Sequence, residues 1–124
     1  MIGRFIITKL PSGDYSFELR AGNGEPIAEI TQTFPTVESC ENIIDSIRRN
    51  ANSEIEDRTL AKWKAVPYPK FEVYKDISGD FFFRLRSANG EIIATSESYT
   101  TKGACMKGIR SIGKNAPSCE ITVK

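Results

Sequence analysis

Histidine is absent from this 124-residue chain, and cysteine is scarce. Histidine is the usual general base near neutral pH and the commonest metal ligand, so its absence removes the simplest catalytic and metal-binding schemes. The three cysteines, Cys40, Cys105 and Cys119, have no C-x-x-C spacing, which excludes the usual zinc motifs. We therefore expect no metal or cofactor, and we interpret the cysteines as buried free thiols of a reducing compartment.

Long apolar segments are also missing. No apolar run approaches the ~20 residues that a transmembrane helix requires, and the apolar stretch at 1–7 is too short for a secretory signal. The composition, 40% hydrophobic and 27% charged, is typical of a globular domain or of two halves that share a core. We expect a cytoplasmic protein without a membrane partner.

The net charge of +1 conceals an imbalance along the chain. Residues 1–58 carry six Lys or Arg and ten Asp or Glu, whereas residues 59–124 carry eleven and six. An acidic half and a basic half attract each other, which would help them stay paired. Alternatively, the second half presents a positive face to an anionic partner.

The chain contains the same pattern twice. Residues 5–28 are FIITKLPSGDYSFELRAGNGEPIA and residues 71–94 are FEVYKDISGDFFFRLRSANGEIIA. The offset of 66 becomes 65 after a slip near residues 31–33, and the identities continue from Thr36 and Thr101 to Ser53 and Ser118. The matched positions are turn glycines, alternating aromatics and a helical apolar stripe, which predicts a shared fold rather than a shared catalytic group.

Each copy begins with a predicted three-stranded meander. Apolar and polar residues alternate, Ser-Gly-Asp makes the first turn, and Asn23-Gly24 or Asn89-Gly90 makes the second. Asn-Gly between two alternating runs is a strong hairpin signal. The apolar period then changes to about 3.6 residues, which predicts a helix, and a short extended segment follows. Each copy is therefore β-β-β-α-β.

Helix ends and glycines in the second half of each copy are also predictable. Thr36 and Thr101 are expected N-caps. Asn50 and Asn115 are expected to end the helices, because asparagine tolerates a left-handed cap. Gly108 and Gly113 weaken the second helix, which predicts a close backbone approach there.

We divide the chain into repeat 1 at 1–58, a linker at 59–69 and repeat 2 at 70–124. One repeat of this size buries too little apolar surface to be stable alone. We expect an α+β fold in which the repeats pair about a pseudo-two-fold axis, with one antiparallel-rich sheet and both helices on one face. Trp63 and Val66 make the linker too apolar for a free tether. Internal duplication favours a monomer.

These motifs resemble the YegP-like family over nearly the whole chain. The resemblance is carried by the Ser-Gly-Asp turn, the strand ending in Leu-Arg, Ala-Asn-Gly-Glu-x-Ile-Ala and the Asn-Ala-Pro after the helix. Repeat 1 departs from the pattern at Gly22 and Pro26, which affects its third strand. The resemblance implies that the repeats exchange their C-terminal strands, and it carries over no catalytic residue, because the family is functionally uncharacterised.

No motif supports an enzyme. Asp14 and Asp80 lie in turns, where aspartate caps its own backbone. Gly22-Asn23-Gly24 connects two predicted strands. A phosphate-binding glycine loop instead connects a strand to a helix, so this interpretation is excluded.

The clearest functional signal is the sheet face opposite the helices. It is expected to expose five candidate site residues: Tyr74, Phe82, Arg84, Arg86 and Arg20. Aromatics beside arginines on a sheet can bind single-stranded nucleic acid, although they can also form cross-strand pairs on a soluble face. We predict a non-enzymatic interaction module with no assigned ligand, for which the partner is open between a protein and single-stranded nucleic acid. The alternative is a protein associated with single-stranded nucleic acid through the open sheet face of repeat 2.

Overall fold

The computed structural model describes residues 3–29 and 32–124, and of Glu29 it describes the backbone alone. The fold is α+β, with two helices and a mixed eight-stranded sheet. In chain order the elements are β1 (Arg4–Lys9), β2 (Tyr15–Arg20), β3 (Pro26–Glu29), α1 (Val37–Asn50), β4 (Glu54–Asp57), β5 (Lys70–Lys75), β6 (Phe81–Arg86), β7 (Ile92–Ser96), α2 (Lys102–Asn115) and β8 (Glu120–Val123), with a 3₁₀ turn at Ala116–Ser118 before β8.

The strand order in the sheet is β4-β5-β6-β7-β3-β2-β1-β8. Each repeat contributes an antiparallel meander, and the two meanders meet at the antiparallel pair β3–β7. The outermost strands pair in parallel, and they pair across repeats: β4 of repeat 1 lies beside β5, and β8 of repeat 2 lies beside β1.

One hydrophobic core lies between the sheet and the two helices. The two copies build it alike, since Phe5 meets Phe17 edge to face at 6.1 Å and Phe71 meets Phe83 edge to face at 5.8 Å. Each fully buried Phe side chain contributes roughly 1.5–3 kcal/mol. All three cysteines are buried free thiols, as the sequence predicts.

Both helices begin at the predicted threonines. Thr36 Oγ1 accepts a hydrogen bond from the Ser39 amide, and Thr101 Oγ1 accepts one from the Ala104 amide. The expectation of a left-handed asparagine cap is wrong, because no described residue other than glycine has a positive φ. Asn50 instead donates from Nδ2 to the carbonyl one turn back, at 2.8 Å, and its counterpart in α2 does the same.

A close approach explains Gly108, as expected. A Cβ at this position would overlap the hydroxyl of Tyr99 and lie 3.1 Å from a ring carbon of Phe83. The missing side chain lets α2 lie close to β6 and to the chain that follows β7. Among the described residues, neither helix has the length and apolarity that a bilayer-crossing segment needs.

Candidate partner-binding face

The outward face of repeat 2 is built by β5 and β6. Because strand side chains alternate, every second residue of β5 points away from the core, and its register partner on β6 points the same way. Three such pairs lie side by side: Lys70 with Arg86, Glu72 with Arg84, and Tyr74 with Phe82.

Two carboxylates form the centre of this face. Glu56 on β4 and Glu72 on β5 are register partners, and both side chains are at most 1% exposed. Lys70 Nζ lies 2.6 Å from Glu56 Oε2 and 3.7 Å from Glu72 Oε2. Arg58 Nε lies 2.6 Å from Glu56 Oε1, and its Nη2 lies 3.1 Å from Glu72 Oε2. Arg86 Nε completes the set at 2.8 Å from Glu72 Oε1. We call these five residues the carboxylate cluster.

The linker covers this cluster. The Val66 amide donates to Glu56 Oε2 at 2.8 Å, and the Trp63 ring lies 4.7 Å from the Arg58 guanidinium carbon. Alternation along β5 predicts that Glu72 faces solvent; this prediction is wrong, because its side chain is 1% exposed. A buried carboxylate is stable only when paired, and here three cations and an amide supply the partners.

The electrostatics follow from these contacts. Burial alone would raise the pKa of Glu56, but the hydrogen bonds from Lys70, Val66 and Arg58 outweigh it and lower the pKa to about 2. Burial likewise opposes ionisation of Glu72, and the hydrogen bonds from Tyr74 and Arg86 lower its pKa. Both glutamates are therefore charged at neutral pH.

Beside the cluster, two stacked aromatic rings lie against guanidinium groups. The Tyr74 ring centroid is 5.4 Å from the Arg58 guanidinium carbon and 5.3 Å from that of Arg84. Phe82 stacks on Tyr74 at 5.2 Å with an interplanar angle of 18°, and Arg84 also lies over Phe82, at 5.5 Å. We call Tyr74, Phe82 and Arg84 the aromatic–arginine patch.

Arg84 differs from the other cations on this face. Arg58 and Arg86 are each paired with glutamate, whereas Arg84 has no carboxylate partner among the described side chains. Its Nε is buried and has no hydrogen-bond partner among the residues that the structure describes. A buried donor without a partner carries a desolvation cost of about 1–3 kcal/mol.

Arg20, the fifth predicted site residue, lies away from the other four. It is on β2, in the other half of the sheet, where its Nε pairs with Glu18 at 2.8 Å and its Nη1 donates to the Gly24 carbonyl. Arg86 makes the same carbonyl contact with Gly90 in its own repeat. The structure thus groups Tyr74, Phe82, Arg84 and Arg86, and separates Arg20 from them.

Sequence reasoning missed Glu56, Arg58 and Lys70. The sequence pattern that could have identified them is alternation. Charged residues alternate with Ile55 on β4 and with Phe71 on β5, so each strand has one charged side. What the alternation does not reveal is that these two charged sides are neighbours. Among the described residues, no three Cys, Asp or Glu side chains are grouped as a metal would need.

Comparison with known proteins identifies the family of this chain. A family model described as "domain of unknown function (DUF1508)" matches residues 12–57 and 76–122, once in each repeat. The chain belongs to this family. The YegP-like resemblance is thereby confirmed, because YegP proteins are among the relatives.

The DUF1508 relatives come in two lengths. The UPF0339 protein YegP of Yersinia pestis is 30% identical over 97% of this chain and 94% of its own. A UPF0339 protein of Treponema denticola is 52% identical, but the match spans 42% of this chain and 90% of the relative, which has the length of one repeat. The solution structure of Escherichia coli yegP, titled a protein of unknown function, superposes with a TM-score of 0.78 at 29% identity, over 100% of this chain and 94% of that one. The names of these relatives describe no activity.

Proposed function

We propose that this DUF1508 protein is a non-enzymatic interaction module of the cytoplasm that binds a protein partner through the aromatic–arginine patch. The observation that carries the proposal is Arg84. Its guanidinium carbon lies 5.3 Å from the Tyr74 ring centroid and 5.5 Å from that of Phe82, and the group has no carboxylate partner among the described side chains. A partner carboxylate would pair with the terminal nitrogens of this half-buried guanidinium at little entropic cost, because contact with the two rings already orders the side chain.

The surroundings of the patch favour binding over catalysis. The acidic side chains beside it, Glu56 and Glu72, are fully paired, and the pKa of each is lowered rather than raised. A general base needs a pKa close to the working pH, so neither carboxylate suits that role. Three buried free thiols favour a reducing compartment.

The test is a comparison of captured proteins. The full chain is immobilised and exposed to a lysate of its native cell, beside Arg84→Gln and a matched control, Lys107→Gln, which changes an exposed lysine of α2. We expect a partner that the wild type and the control retain and the Arg84 variant loses. Retention of the same proteins by all three chains would contradict the proposal.

Single-stranded nucleic acid is the second candidate, favoured by the stacked Tyr74–Phe82 pair beside arginines. Two guanidinium groups, those of Arg58 and Arg84, lie over Tyr74, whereas of these two Arg84 alone lies over Phe82, so Phe82 is the less covered ring of the pair. Titration of labelled oligouridylate at low and high salt tests this. Binding that weakens with salt and is lost in Phe82→Ala would favour the nucleic acid.

We also propose that the repeats are related by a pseudo-two-fold axis and exchange their C-terminal strands. The reciprocal pairings β4–β5 and β8–β1 support this arrangement. A relative with a single repeat would then build the same sheet as a homodimer, whereas the present chain would be a monomer. Sedimentation of both proteins tests this, and a monomeric single-repeat relative would contradict it.

A further inference from the structure

The linker between the repeats presents an exposed apolar surface of its own. Leu60, Trp63 and Tyr68 are 53%, 41% and 48% exposed. They make up half of the large apolar side chains that are exposed in the described part of the chain. Tryptophan and tyrosine are also residue types on which the binding energy of protein interfaces is concentrated. So many exposed apolar side chains on one short segment indicate a contact surface.

The linker is held in place by the residues beneath it. The Trp63 ring centroid lies 4.7 Å from the Arg58 guanidinium carbon, and the Tyr68 ring centroid lies 4.8 Å from Lys70 Nζ. Between them, the Val66 amide donates to the carboxylate cluster. Covering the cluster uses only part of each ring, because a large part of both side chains remains exposed. The exposed rings are thus ordered before a partner arrives, which lowers the entropic cost of binding.

The linker carries positive charge only. Residues 59–69 contain two lysines, Lys62 and Lys64, and no Asp or Glu. Both lysines are exposed, flank Trp63 in the sequence and have no ion pair or side-chain hydrogen bond with any described residue. The cations beneath the linker are in contrast paired with the glutamates of the carboxylate cluster. The charge available to a partner is therefore that of the two lysines, and it favours a negatively charged partner.

This surface lies at one edge of the sheet. The linker runs from the end of β4 to the start of β5, whereas β1 is near the opposite edge and β3 is separated from β5 by β6 and β7. The surface is therefore supported by β4 and β5. We call Leu60, Lys62, Trp63, Lys64 and Tyr68 the linker surface.

We propose that the linker surface binds an acidic segment of a protein partner, in which an apolar side chain lies between carboxylates. The inference rests on the proposed function in one respect, namely that the partner is a protein. The apolar side chain would pack against Trp63, and the carboxylates would pair with Lys62 and Lys64, because these two lysines lie on either side of Trp63 in the sequence.

A protein segment suits this surface better than a nucleic acid. Leu60 is aliphatic and offers no ring on which a base can stack. The two available lysines neutralise about two phosphates, which is too few for a phosphate chain to bind firmly at physiological salt. An apolar side chain of a protein, in contrast, can use both Leu60 and Trp63.

The experiment is a titration of the full chain with the peptide acetyl-Glu-Glu-Phe-Glu-Glu-amide, followed by the fluorescence of Trp63, the single tryptophan. We expect a saturable change in emission, and no comparable change with acetyl-Gln-Gln-Phe-Gln-Gln-amide or acetyl-Glu-Glu-Gly-Glu-Glu-amide. The double variant Lys62→Gln/Lys64→Gln should weaken binding by about threefold to tenfold, because two exposed ion pairs are lost. The control Lys107→Gln/Lys114→Gln changes two exposed lysines of α2 and should leave the affinity unchanged.

Three results would overturn the inference: no saturable change at about 10 mM peptide, an equal change with either control peptide, or unchanged affinity in Lys62→Gln/Lys64→Gln. A larger change with oligouridylate or with phosphatidylserine vesicles than with the peptide would also overturn it, because the ligand would then be a nucleic acid or a membrane.

Arg84→Gln separates this inference from the proposed function. It should leave the peptide affinity intact, while it reduces capture of the partner from the lysate. Loss of peptide binding in Arg84→Gln, with Lys62→Gln/Lys64→Gln unaffected, would assign the segment to the aromatic–arginine patch and overturn the inference. Capture that Arg84→Gln does not change would overturn the proposed function, and the peptide result would still support the linker surface.

Discussion

The two halves of the outward face have the same strand pairings, but they differ in their carboxylates and aromatic rings. On the core side the repeats match residue for residue, with Phe5 and Phe71, and Leu19 and Leu85, at equivalent buried positions. On the outward side, in contrast, the two glutamates of the carboxylate cluster have uncharged counterparts in repeat 1, whereas Lys70 and Arg86 correspond to Arg4 and Arg20. Glu72 corresponds to Ile6, and the rings of Tyr74 and Phe82 correspond to Thr8 and Ser16.

This difference separates what the fold requires from what it permits. The core side and the turns must be kept in both copies, since each copy buries its apolar side chains in one shared core. The outward side of a sheet tolerates either an ion cluster or an apolar residue, provided that buried charges are paired. The two solutions therefore coexist in one molecule, and each is the natural control for the other.

The largest expected effect is on stability, when the carboxylate cluster is broken. Glu56→Ala leaves Lys70 and Arg58 without their nearest carboxylate and the Val66 amide without an acceptor, so we expect a loss of about 3–5 kcal/mol in the free energy of unfolding. The matched control is Thr122→Ala, the equivalent outward position of β8, which should cost less than about 1 kcal/mol. Urea denaturation of both variants measures the difference. Equal losses in the free energy of unfolding would mean that the carboxylate cluster stabilises repeat 2 no more than the uncharged residues stabilise repeat 1.

The pH dependence of stability also tests how much the carboxylate cluster of repeat 2 contributes. The pKa of Glu56 is lowered from 4.5 to about 2, so its contribution to stability is complete above pH 4.5 and is lost as the pH falls through about 2. We expect the free energy of unfolding to decrease between pH 4.5 and 2, and to decrease less steeply in Glu56→Gln. Urea midpoints at several pH values measure both slopes. If the stability of the wild type and that of Glu56→Gln decrease with pH at the same slope, the hydrogen bonds to Glu56 do not lower its pKa.

The architecture was predictable because its signals are local or repeated. Alternation, Ser-Gly-Asp and Asn-Gly turns, and the change of period identify each strand and helix from a few neighbouring residues. The duplication adds the long-range information that a single copy lacks, because two identical half-covered units must pair to bury their cores. The loop glycines are confirmed as turn residues, with φ of 93° at Gly13 and 86° at Gly24.

The site was predicted only in part, because its chemistry is non-local. Period-two alternation correctly groups Tyr74 with Phe82 and Arg84 on one side of a hairpin. It gives no information about the parallel neighbour β4, which brings Glu56 beside Glu72, or about the linker, whose Val66 amide donates to Glu56. Alternation therefore cannot distinguish a sheet face that is exposed to solvent from one that another segment of the chain covers.

A smaller effect is expected in the helix layer, where the halves also differ. Gly108 of α2 corresponds to Ile43 of α1, and it makes room for Tyr99. Gly108→Ala should destabilise the protein by about 1–3 kcal/mol through overpacking, despite the gain in helix propensity. The control Gly103→Ala, with no described atom within 4 Å, should be neutral or stabilising by up to about 1 kcal/mol.

A double variant identifies the cause of that effect. Tyr99→Phe removes the hydroxyl that the new Cβ would overlap, so adding it to Gly108→Ala should recover part of the lost stability. Thermal unfolding of the single and double variants gives the coupling between the two positions. Additive losses would place the strain elsewhere, for example against Phe83.

The smallest effect is expected at the linker, which has no described counterpart over repeat 1. Trp63 is 41% exposed and its main described contact with the cluster is the cation–π stack on Arg58, so Trp63→Ala should cost about 0.5–1 kcal/mol. It is the single tryptophan of the chain, so its fluorescence reports the linker alone. In Glu56→Ala, where Arg58 loses its nearest carboxylate, the emission should shift to the red before global unfolding begins. If the emission of Trp63 does not change until the whole protein unfolds, the linker does not open separately. The linker then unfolds cooperatively with the hydrophobic core.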